Sequence, residues 1–124
     1  MYWKRYVNGG WLRAEDPADF FWLGSGTEPV REWLKSLEEA ERQAIGRDLM
    51  RAQWRWPVGM PLCRGMGDGL WEVRTNLPTG RTARVLLCSY RRHLVALHGF
   101  IKKTRATPVE DLETARRRQR ELER

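Results

Sequence analysis

The chain has 124 residues, enough for one domain with one modest hydrophobic core. With 41% hydrophobic and 31% charged residues it is not a low-complexity chain, and it has no apolar run of the ~20 residues needed to cross a bilayer. Lys and Arg outnumber Asp and Glu by 23 to 16, a net charge of +7, which points to a polyanionic partner.

Residues 1–18 stand as an N-terminal extension to which no structure is assigned; the turn material NGG and EDPAD interrupts its short apolar-aromatic runs. A first strand is expected at Phe20 to Leu23, directly before a helix. In EPVREWLKSL, Pro29 suits the first helical position, and Val30, Trp33, Leu34 and Leu37 form one apolar stripe. A second helix is expected from Glu39 to Gln53, with Ala44, Ile45, Leu49 and Ala52 on one face and Pro57 as the stop. The short break between them predicts an antiparallel helical hairpin.

WPVGMPLCRGMGDG, with two prolines and four glycines, reads as loop. Three strands follow, in LWEVRT, RTARVLLCSY and LVALHGF, joined by NLPTG and RRH turns as an antiparallel meander. Residues 109–124 have the composition of a charged C-terminal helix. Thr107, Pro108 and Glu110 are placed to cap it. The expected fold is a single α+β domain over residues 1–124, with two N-terminal helices packed on an antiparallel sheet of three to four strands and a C-terminal helix.

Two cysteines, Cys63 and Cys88, lie outside any zinc-ligand spacing, so neither metal nor cofactor is expected. Cys88 sits in an apolar run and reads as a buried thiol. The seven tryptophans read first as core anchors and second as stacking platforms. The absence of a secretory signal at the start makes a reducing cytoplasm the expected compartment.

Charge is segregated along the chain. From Glu28 to Arg51 there are six acidic and five basic residues. From Gly69 to Arg105 there are eight basic residues (Arg74, Arg81, Arg84, Arg91, Arg92, Lys102, Lys103 and Arg105) and one acidic residue, Glu72. Such a face suits phosphates, because its cations displace condensed counterions. Arg84 lies inside a strand and needs a partner or solvent. A hairpin symmetric about Pro78 would set Glu72 opposite it. His98 ends an apolar run, is followed by Gly99, and is the side chain best suited to proton transfer near neutral pH.

GLWEVR at 69–74, GRTARVLLC at 80–88 and LVALHGFIKKTRATP at 94–108, in that order, resemble the phage-derived Gp49-like branch of the RelE/HigB toxin superfamily. The likeness covers residues 19 to 118. It implies a type II toxin held in a hetero-oligomer by a cognate helix-turn-helix antitoxin. Many members are mRNA interferases that cut messenger RNA in the ribosomal A site, by metal-free attack of the RNA's own 2′-hydroxyl. Carried over by motif, Arg84 resembles the strand arginine that meets the scissile phosphate. Lys102 or Lys103 falls where members place a basic residue after the last strand. His98 is the candidate proton carrier. Arg74, Arg81, Arg91, Arg92 and Arg105 are candidate RNA contacts. Ala106 stands where many Gp49-like chains have lysine, and no tyrosine follows Tyr90. The competing expectations are a ParE-type toxin acting on gyrase and an inactive, basic nucleic-acid-binding relative.

Overall fold

The computed structural model describes residues 18–20, 28–54, 62–90 and 93–122. The elements are β1 (Ala18–Phe20), α1 (Pro29–Lys35), α2 (Glu39–Trp54), β2 (Cys63–Gly67), β3 (Leu70–Asn76), β4 (Thr82–Tyr90), β5 (His93–Ile101) and α3 (Val109–Leu122). They form a sheet in the order β1-β5-β4-β3-β2, sandwiched between α1 and α2 on one face and α3 on the other.

The apolar stripes set this arrangement. Val30 and Leu34 of α1, and Ala44, Ile45, Leu49 and Ala52 of α2, are buried against Val73, Ala83, Val85, Leu87 and Ala96 of the sheet, with Trp33 and Leu37 packed at the margin. Each large side chain buried there contributes about 1.5–3 kcal/mol. The opposite strand positions, Leu70, Leu86, Cys88, Val95 and Leu97, form a second core against Ala115 of α3.

Two expectations change here. The glycine-rich stretch read as loop contains β2, which pairs antiparallel with β3. The four strands β2 to β5 are antiparallel, but β1 joins the edge in parallel with β5, pairing Ala18 with Leu94 and Phe20 with Ala96. Phe20, the first residue of the strand expected at Phe20 to Leu23, lies in β1; residues 21–23, like residues 1–17, lie outside the described residues. The charged C-terminal helix docks on the β2–β3 turn. Arg116 donates to the carbonyl oxygens of Met66 (2.8 Å) and Gly67 (3.2 Å), and Gln119 donates to that of Asp68 (2.8 Å). These contacts clamp the β2–β3 turn, where Gly67, Asp68 and Gly69 all have positive φ.

Gly99 allows one close approach. A Cβ there would overlap ring carbons Cζ3 and Cε3 of Trp33 and stand 3.0 Å from Cη2. The glycine therefore admits the indole against β5. Gly99→Ala is expected to cost about 1–3 kcal/mol through overpacking, measured as a lower urea midpoint at unchanged slope.

The β3–β4 turn is anchored from the helical side. Arg81 donates to both oxygens of the fully buried Glu41 at 2.8 Å, and Thr79 adds a 2.7 Å bond. These hydrogen bonds, with the Arg81 charge, hold the Glu41 carboxyl below its ordinary pKa despite its burial. A group depressed in the folded state stabilises fully above its unfolded pKa and loses that contribution as pH falls through the folded value. Glu41→Gln should therefore destabilise at neutral pH, with the gap to wild type closing on acidification. Urea unfolding across pH checks this; a gap independent of pH would contradict it.

Candidate functional site

The central feature lies on the α3 side of the sheet, at the end that α3 leaves uncovered. Register sets Arg84 directly opposite Arg74 on β3 and Phe100 on β5. Like charges opposite each other repel, so Glu72, two residues back on β3, is the local counter-charge. The expected Glu72–Arg84 ion pair forms, but diagonally: Glu72 faces Leu86 in register, and its Oε2 stands 3.5 Å from Arg84 Nη1. Both side chains are only 4% exposed.

Arg84 also ties down the chain that leaves β5. Its Nη2 donates to the carbonyl oxygen of Arg105 (2.8 Å), and its Nη1 to Thr107 Oγ1 (3.4 Å). Thr107 passes its one hydroxyl proton to Glu72 Oε2 (2.7 Å). Among the described residues no α3 backbone N–H donates to this hydroxyl oxygen, so the helix cap expected from sequence does not form; the first α3 bond runs from Leu112 N–H to the Pro108 carbonyl oxygen (3.0 Å). Arg84 Nε is buried without a partner among the described residues, a cost that the rest of the network outweighs.

Around this buried pin stand the accessible cations. Arg74 and Arg105 are exposed and Lys102 is half-buried. Partial desolvation first, then the charges of Arg74, Arg84 and Arg105, lower the Lys102 pKa, with Glu72 opposing. Four cations thus crowd one carboxylate. Lys103 is exposed and lies beside the mouth of a neighbouring cavity. Arg81 is drawn to Glu41 on the helical side, away from this cluster. Arg91 and Arg92 lie outside the described residues.

His98 reaches the same face by a register irregularity. Leu86 pairs with His98 but Leu87 pairs with Ala96, leaving Leu97 as an extra residue on β5. Strict alternation from Leu94 and Ala96 would turn His98 toward α1 and α2; the bulge turns it toward α3 instead. Arg118 Nη1 donates to the Leu97 carbonyl oxygen (2.7 Å) across this break. His98 stacks on Phe100, with centroids 5.8 Å apart, and its Nε2 lies 2.6 Å from Asp111 Oδ1. With Nε2–H donated to this carboxylate, the neutral imidazole presents Nδ1 as an acceptor. Asp111 carries no sequence signal of this role, since it lies thirteen positions and a helix start away from His98.

Trp33 and Trp71 pack against the first core, in keeping with tryptophan as an anchor. Both Cys63 and Cys88 are buried, and burial pushes the Cys63 thiol up to about 11, with Asp48 adding to the shift. Among the described residues no group of His, Cys, Asp and Glu is placed to hold a metal, and no helix is long and apolar enough to cross a membrane.

Helices on both faces of a largely antiparallel sheet, with cations gathered at the exit of the last strand, define a small basic α+β protein. A family model described as phage-derived protein Gp49-like (DUF891) matches residues 32–120. The chain belongs to this family, which is a RelE/HigB-like toxin family. A toxin of that kind implies an antitoxin partner. No curated protein matches the chain.

Proposed function

We propose that the protein is a toxin that cleaves messenger RNA on the ribosome without a metal, and that Arg74, Lys102 and Arg105 hold the scissile phosphate. The observation that carries this reading is the crowding of four cations about a single, already paired carboxylate. Such a cluster is favourable when an anion joins it, and fixed cations aimed at developing charge are a major source of catalysis.

The chemistry assigns a role to each group. The RNA 2′-hydroxyl loses its proton to a base and its oxygen bonds to phosphorus. The 5′-oxygen leaves and takes a proton from an acid. His98 Nδ1 is the base, with its ring oriented by Asp111. Lys102 is the acid, because a lowered pKa makes an ammonium a better proton donor at neutral pH. His98, Phe100 and Lys102 follow at two-residue steps along one strand face, so base and acid stand roughly 13 Å apart along the backbone. An imidazole and a long lysine side chain can close on one phosphodiester across that span. Arg84 acts beneath them as the positioning residue that fixes the 105–107 segment. In the resting complex a helix-turn-helix antitoxin covers the exposed cations.

The test is cleavage of a defined message by purified toxin, with and without programmed ribosomes. Cleavage that requires ribosomes and leaves a 2′,3′-cyclic phosphate is expected. No cleavage in either setting, by a toxin that still arrests growth, would contradict the reading and favour a gyrase-type target.

A further inference from the structure

Beside the cation cluster, where the end of β5 meets α1 and the start of α3, lies a cavity of about 560 Å³. That volume is within the ~300–1,000 Å³ typical of small-ligand sites. Trp33 of α1, His98 and Phe100 of β5, Lys103 of the exit loop, and Glu110 and Asp111 of α3 line it. We infer that this cavity is a nucleobase pocket that selects guanine next to the cleaved phosphodiester. The inference rests on the RNA-cleaving reading and adds its specificity.

The composition of the walls carries the argument. Sequence-specific recognition of single-stranded RNA depends on a flat apolar surface for the base and polar groups for its edge. The indole of Trp33 is fixed over Gly99, where no side chain could stand. The His98–Phe100 stack supplies a second flat surface. The two carboxylates differ in availability. Asp111 is engaged by His98, whereas the exposed Glu110 carboxylate has no partner among the described residues.

A carboxylate only accepts hydrogen bonds, so it selects a base edge that donates. On its Watson–Crick edge guanine presents two adjacent donors, N1–H and the N2 amino group, which match the two oxygens of one carboxylate. Adenine and cytosine each set a ring acceptor beside their amino group, and uracil sets two carbonyls around one N–H. Lys103 at the rim then meets the phosphate of the same nucleotide. Phe100 borders both this cavity and the row that contains Arg84, so a strand leaving the cations passes directly into the pocket.

The test is titration of isotopically labelled protein with GMP, AMP and ribose 5-phosphate, followed by amide and indole NMR shifts. GMP is expected to move Trp33, Gly99 and Phe100, while ribose 5-phosphate leaves them in place. Glu110→Gln, an exposed substitution that keeps the fold, should reduce the GMP-over-AMP preference about tenfold or more, as expected for losing a charge-assisted pair. Equal shifts from GMP and ribose 5-phosphate, shifts confined to Arg74 and Lys102, or an unchanged preference in Glu110→Gln would overturn the inference. RNA cleavage by the same samples is scored separately. Cleavage with no base preference removes the pocket's role and leaves the nuclease reading standing. GMP selectivity without cleavage removes the nuclease reading and keeps the pocket.

Discussion

Glu72→Gln is expected to destabilise the protein by about 3–5 kcal/mol, the cost of removing one partner from a buried ion pair. Both members are 4% exposed, so water cannot replace the lost charge, and among the described residues Arg84 pairs with no other carboxylate. The amide still accepts from Thr107 and keeps the volume, so the loss is electrostatic rather than steric. The damage should spread along the network. Arg84 holds the Arg105 carbonyl and Thr107, so the exit segment and the start of α3 should lose amide protection before the rest of the sheet. Urea denaturation gives the energy, and hydrogen exchange gives the pattern. A loss below about 1 kcal/mol, the range of exposed pairs, would show that the Arg84 charge is compensated in some other way.

The second large effect separates chemistry from structure. Arg74→Ala with Lys102→Ala should lower cleavage by about 10²–10³-fold, as removal of preorganised charge stabilisation does. Neither side chain is buried, so stability should stay within about 0.5 kcal/mol of wild type, as for surface substitutions generally. Arg84→Ala should instead lower stability and activity together, because it removes a buried pin. The pH profile adds a further check. The falling limb follows deprotonation of Lys102, whose pKa is held below the ordinary lysine range by desolvation and by Arg74, Arg84 and Arg105. Removing Arg74 relieves part of that repulsion, so Arg74→Ala alone should move the falling limb to higher pH. A falling limb that stays fixed would take the acid role from Lys102.

Much of this architecture is legible in the sequence where a single periodicity governs burial. The stripes Val30–Trp33–Leu34–Leu37 and Ala44–Ile45–Leu49–Ala52 pack as their spacing predicts, and the three strands of the meander lie where alternation sets them. The charge segregation from Gly69 to Arg105 likewise anticipates the cluster of Arg74, Arg84, Lys102 and Arg105. What escapes depends on long-range pairing. CRGMG carries two glycines and only two buried or half-buried hydrophobic side chains, so β2 has no visible alternation of its own; it becomes a strand because β3 offers it a ladder. The Leu97 bulge leaves no composition signal, yet it decides which face His98 occupies. Glu72 was expected opposite Arg84, but the hairpin register is displaced by two residues, and the pair forms on the diagonal. Thr107 looks like a cap from its neighbours alone; only the fold brings Glu72 within reach of its hydroxyl. Asp111 is one of many acidic residues in a charged tail until α3 docks it on His98.

The most direct test of the central claim is to map messenger RNA 5′ ends after induced expression of the wild-type protein and of the Arg74→Ala/Lys102→Ala variant, with folded protein confirmed in both. The account predicts growth arrest with new ends inside translated regions, in register with the reading frame, and their disappearance in the variant at equal protein level. Arrest with intact messages, or ends unchanged in the variant, would contradict it.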